Sequence, residues 1–147
     1  MTFLPIHRDR RARLLQLGAL ALFGIKTAAA ATTHSLAELR GRGLANEGVL
    51  LDLPPLSDNG NSVPLQFSLT APPGRMIAGF EIIAPENPNP VVLRLKLRTA
   101  LSRYQFSTRI RLAMSQEIWV VSLLDDGSQR GRSLHTVVTD TACFDET

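Results

Sequence analysis

Between residues 63 and 112 the chain repeatedly alternates apolar and polar residues one by one, and that period of two limits what it can become. In "SVPLQFSL", Val63, Leu65, Phe67 and Leu69 alternate with polar neighbours. In "VVLRLKLR", Leu93, Leu95 and Leu97 alternate with Arg94, Lys96 and Arg98. In "YQFSTRIRLA", Phe106, Thr108, Ile110 and Leu112 alternate with Ser107, Arg109 and Arg111. Successive side chains of a strand point to opposite faces, so these segments read as strands with one buried face.

Two uninterrupted apolar runs, 76–84 and 118–124, read as more deeply buried strands, and 49–53 and 133–139 supply a first and a last. The breaks fall on "DNGN" (58–61), "APPG" (71–74), "PENPNP" (85–90) and "DDGS" (125–128), the residue types that turns select. Seven short strands in roughly 90 residues, regularly spaced by turns, predict an all-β, immunoglobulin-like antiparallel sandwich over residues 49–139. Only 33–42 reads as helical, within a short entry segment over 32–48.

The N-terminus has the three parts of a secretory signal. Arg8, Arg10, Arg11 and Arg13 precede an apolar run from 14 to 25, and small residues follow at 28–31. The Arg10-Arg11 pair before Leu14-Leu15 points to the twin-arginine route. About twelve apolar residues are short of the roughly 20 that a membrane span needs, so no membrane anchor is expected after cleavage near Ala31. The full chain carries 16 Lys+Arg and 13 Asp+Glu. The leader holds five of the bases and one acid, which leaves 11 and 12, a mature net charge near −1. The basic pI belongs to the leader, and nucleic acid is not expected as a partner.

Cys143 is the one cysteine of the chain. It cannot form an internal disulfide, and an odd thiol in an exported protein points to intermolecular pairing or to a reactive group. With only His34 and His135 beside it in the mature chain, no closed zinc site is expected. The residues after 139 show no apolar alternation and read as a free arm over 140–147. Four residues of extended chain would carry the thiol about 13 Å beyond the sandwich.

The stretches "DNGNSVPL", "ENPNP", "STRIRLAMSQ" and "LLDDGS", in this order and spacing, resemble the SoxY family over essentially the whole mature chain. The resemblance implies an immunoglobulin-like fold, a SoxZ-like protein as heterodimer partner, and a flexible C-terminal arm. It also implies that the arm cysteine holds sulfur intermediates covalently in the periplasm and presents them to Sox-type client enzymes. Cys143 falls at that position and would bear the sulfur adduct; no other cofactor, and no enzymatic activity, is implied. The ending departs from the Gly-Gly-Cys-Gly-Gly type. Thr141-Ala142-Cys143-Phe144-Asp145-Glu146-Thr147 looks like the SoxY-related group whose arm reads Ala-Ala-Cys-Ile-Glu. Ala142, Phe144, Asp145 and Glu146 would then be what a client pocket recognises.

An unperturbed thiol is only about 3% ionised at pH 7. Each carboxylate at Asp140, Asp145, Glu146 or the terminus opposes ionisation by roughly 0.5 kcal/mol at 8 Å in water. The thiol therefore suits a passenger site that a client activates. The other readings of the tail are a Cys143-linked homodimer and an interaction subunit without cargo. Arg94, Lys96, Arg98, Arg109 and Arg111 offer either an anion or partner surface or simply the solvated face of a sheet. Ser133, His135 and Asp125 are not expected to form a triad. Trp119 is expected in the core.

Overall fold

The computed structural model describes residues 34–142. The expected leader over 1–31 lies outside the described residues, as do Cys143, Phe144, Asp145 and Glu146. In chain order the elements are α1 (Leu36–Gly41), β1 (Val49–Asp52), β2 (Leu56–Ser57), a 3-10 turn at Gly60–Ser62, β3 (Val63–Thr70), β4 (Ile77–Ile83), β5 (Val91–Leu101), β6 (Arg103–Ile110), β7 (Gln116–Leu124) and β8 (Gln129–Val138).

Two sheets face each other in an immunoglobulin-like sandwich, one ordered β1-β3-β6 and the other β2-β8-β7-β4-β5. Each of the seven expected strands is present. The eighth, β2, is a two-residue strand that pairs parallel with β8, Leu56 beside Val137. It escapes a sequence reading because two residues carry no periodicity, and its pairing is set by where β8 already lies.

The alternation of β3 is met residue for residue: Val63, Leu65, Phe67 and Leu69 are buried and the intervening positions are exposed or half-buried. From the facing sheet, Phe80 of β4 meets them. Its ring stands edge-on to Phe67 with centroids 5.0 Å apart, and lies 5.5 Å from Tyr104 and 5.3 Å from Phe106. The core thus centres on aromatic rings from both sheets, where edge-on and tilted contacts add to area burial.

β7 shows no alternation because both its faces are covered. Ile118 and Val120 face the sandwich core, whereas Trp119 and Val121 join Ile83 and Leu39 in a second cluster beneath α1. Trp119 is therefore buried, but against the helix on the outer face of the five-stranded sheet. The helix is short and begins at Ser35, whose hydroxyl accepts from the Glu38 amide at 3.3 Å. Six residues do not hold a helix by propensity alone, so packing through Leu39 must supply its stability. Leu39→Ala should destabilise the domain by about 2 kcal/mol, less than a central core truncation, because this peripheral cluster can partly collapse. Urea denaturation checks it, and a loss below about 0.5 kcal/mol would mean that the helix contributes nothing.

At the β7–β8 hairpin, "DDGS" behaves as its residues predict. Gly127 takes a positive φ of 82°, and the Ser128 hydroxyl and amide donate to Asp126 Oδ1 at 2.6 and 3.0 Å. Those two bonds hold the Asp126 carboxyl below its usual range.

Candidate functional site

Cys143 follows Ala142 directly, so the described residues nearest to it in the chain are those at the end of β8 and just beyond. That end of the sandwich gathers the turn before β3, the loop between β4 and β5, the segment between β6 and β7, and the residues after β8. Three of the four stretches that carry the SoxY resemblance meet here: "DNGNSVPL", "ENPNP" and "STRIRLAMSQ". The fourth, "LLDDGS", sits at the opposite end of β7.

The chain does not leave the sandwich at Thr139, as the arm boundary of 140–147 required. Thr139 donates to Ser57 O at 3.1 Å and continues the pairing of β8 with β2. The Gly60 amide then donates to Asp140 O at 2.6 Å, the Leu112 amide to Gly60 O at 2.8 Å, and the Ala142 amide to Leu112 O at 3.0 Å. Three backbone bonds thus close a ring around residues 60, 112 and 140–142. Ala142 is buried at 7% exposure, while Asp140 and Thr141 are exposed. The chain thus stays bonded to the domain past Thr139, at least as far as Ala142, because backbone donors and acceptors beyond the last strand still find partners.

Gly60 makes the ring possible. A Cβ there would lie 2.7 Å from Asp140 O, 2.8 Å from Ala142 N and 2.9 Å from Leu112 O, all backbone atoms. The glycine of "DNGN" therefore serves more than a turn: two other chain segments, 140–142 and the one at Leu112, pack into the space a side chain would fill.

A buried amide pair supports the ring from behind. Asn87, from the "ENPNP" loop, accepts through Oδ1 from the Ala113 amide at 2.9 Å and from Gln116 Nε2 at 3.0 Å. Its Nδ2 donates to Arg111 O at 2.9 Å. Gln116 in turn accepts from the Glu86 amide at 2.9 Å. Asn87 and Gln116 are 7% and 3% exposed, so the segment flanking Leu112 is fixed from within the protein. Ser115 adds a link to the last strand, its Oγ accepting from the Val138 amide at 2.9 Å. Beside this end lies an open groove of about 310 Å³ whose walls include Leu36, Arg40, Met114 and His135.

The other expected site residues are scattered. Arg94, Lys96 and Arg98 stand on β5, and Arg94 is paired across the sheet with Glu81. Arg109 stands on β6 in the other sheet, reaching Ser62, and Arg111 follows that strand. The exposed residues of the two sheets face opposite sides of a sandwich, so the five bases do not make one surface. Asp125 is at the far end of β7 from Glu117, whose register partner is His135, so the triad is absent as expected. Among the described residues there is no cluster of three or more His, Cys, Asp or Glu side chains suited to a metal ion. The ring residues Gly60 and Leu112, and the Asn87–Gln116 pair, were missed by sequence reasoning. The available signal was the resemblance itself, whose stretches meet around them.

A family profile described as sulfur oxidation protein SoxY matches residues 37–143. No curated protein matches the chain. Among solved structures the fold is similar to the sulfur carrier protein SoxY from Chlorobium limicola f thiosulfatophilum, with a TM-score of 0.56 and 20% identity over 65% of this chain and 78% of that one. A superoxide reductase (neelaredoxin) from Ignicoccus hospitalis gives a TM-score of 0.47 and 15% identity over 71% and 98% of the two chains.

Proposed function

The chain belongs to the SoxY family of sulfur oxidation proteins, and from that premise we propose that it is a periplasmic carrier holding sulfur intermediates on Cys143. The observation that carries this reading is the extent of the family match, which runs to residue 143 and so includes the lone cysteine. A sulfur species joins the Cys143 sulfur as a disulfide-type adduct. The thiol gives up its proton, an S–S bond forms, and the two electrons released pass to an acceptor in the Sox-type client enzyme that loads it. The protein contributes a passenger site, since the acids flanking the thiol disfavour the thiolate it would need to act alone.

The signal-like N-terminus supports a periplasmic location, and a SoxZ-like protein is the partner this reading calls for. The solved SoxY that the fold resembles is described as a sulfur carrier, which supports the same reading. Phe144, Asp145 and Glu146 make a bulkier and more acidic tip than glycines would, so the clients should present a wide, basic entrance.

The test is the intact mass of the chain isolated from the periplasm of a sulfur-oxidising host, with and without reductant. Reducible added mass on the Cys143 peptide is expected, and Cys143→Ser should remove it completely. Finding only unmodified thiol or a Cys143-linked homodimer would overturn the carrier and leave an interaction subunit without cargo.

A further inference from the structure

We propose that the backbone ring around Gly60 is a latch that sets the reach of Cys143, with Gly60 as the positioning residue that lets it close. The inference rests on the carrier reading for its purpose, but the latch itself can be measured without it.

With the ring shut, Ala142 is fixed to Leu112 O and Asp140 to Gly60 N. The Cα of Cys143 then lies one peptide link, about 3.8 Å, from that of a buried residue. In this state the residue that precedes the thiol is fixed beside Leu112, in the segment that Asn87 braces. A client could read it there only by docking on the domain itself.

Opening requires only the Gly60–Asp140 and Leu112–Ala142 bonds to part. Asp140 and Thr141 are exposed; Ala142 alone must leave a buried position. The remaining bonds stay. Thr139 keeps its bond to Ser57, and Leu112 keeps its bond to Gly60, so neither sheet is disturbed. A segment with so few buried contacts opens locally, without global unfolding. Four residues are then freed beyond Thr139, and the thiol can travel about 13 Å. Closed, the carrier is tethered as far as Ala142; open, it can deliver cargo into a recessed client site. Gly60 controls the balance because any larger residue would push a Cβ against backbone atoms at 2.7–2.9 Å, and those atoms include both ends of the latch.

Two variants of the full mature chain test this. Gly60→Ala removes the space for the ring, and Ala142→Pro removes the N–H that closes it without adding bulk at residue 60. The first readout is amide exchange at Ala142, which Gly60→Ala should accelerate about tenfold while Val120 and Val121 keep their protection. The second is the labelling rate of Cys143 by a polyethylene-glycol maleimide relative to N-ethylmaleimide. That ratio should rise several-fold in both variants, because a bulky reagent needs the extended state. A ratio unchanged in Ala142→Pro, with core protection intact, overturns the latch. So does an unprotected Ala142 amide in the parent chain. Should Gly60→Ala also lose core protection, Ala142→Pro decides alone. Loss of the reducible adduct from the native protein would sink the carrier reading and leave these rates untouched, so the two failures are distinguishable.

Discussion

Asn87→Leu should destabilise the domain by about 3 kcal/mol and lower its Tm by roughly 10 °C or more. Leucine matches asparagine closely in volume, so the effect reports polar chemistry rather than a cavity. Asn87 Oδ1 takes two N–H groups, from Ala113 and Gln116, and Nδ2 serves Arg111 O. Leucine serves none of them, and only Gln116 Nε2 retains another acceptor, Met114 O at 3.3 Å. The site is buried, so water cannot readily replace the lost partners, and each orphaned group costs about 1–3 kcal/mol. Relaxation of the loop recovers part of that sum, which is why the expected total sits near its lower end. Guanidinium denaturation gives the number, and a loss below about 1 kcal/mol would show that the amide network is dispensable. Because Asn87 braces the segment that contains Leu112, the same variant should also speed amide exchange at Ala142.

Phe80→Ala should be more damaging still, at about 4 kcal/mol. The ring is 1% exposed and stands at the meeting point of three others, from β3 and β6 of the opposite sheet. Removing it leaves a cavity between two sheets whose backbones are fixed by ladder hydrogen bonds and cannot close inward. It also deletes three aromatic contacts at once. Phe106 is only half-buried on an edge strand, so Phe106→Ala should cost roughly half as much. The order of the two losses, measured by denaturant titration with unchanged m-values, is the check; equal losses would mean that the core does not centre on Phe80.

Legibility in the sequence varied with the origin of the signal. β3 and β6 could be read at once, since one face of each meets the core and the other meets solvent, and the residue pattern records that difference directly. β7 could be located but not assigned to a layer. An apolar run is the same whether its second face is covered by a sheet or by a helix, and here α1 covers it through Leu39. The five bases on and beside β5 and β6 looked like one stripe because two consecutive strands shared a pattern. The chain crosses between sheets at Ser102, however, and sends them to different layers.

The sequence by itself determined the alternating strands, the turns between them, and the presence of a single thiol just beyond the last one. Those properties are local: each follows from side-chain period or from the φ a turn residue accepts. Only the tertiary structure decided that the chain stays bonded to the domain beyond the last strand, through Ala142. Gly60, Leu112 and Ala142 are far apart in sequence and are joined by backbone atoms, which every residue carries and no residue type advertises. Their contact is visible in the sequence only as the missing side chain of Gly60. Its meaning appears once two distant segments are seen to occupy that space.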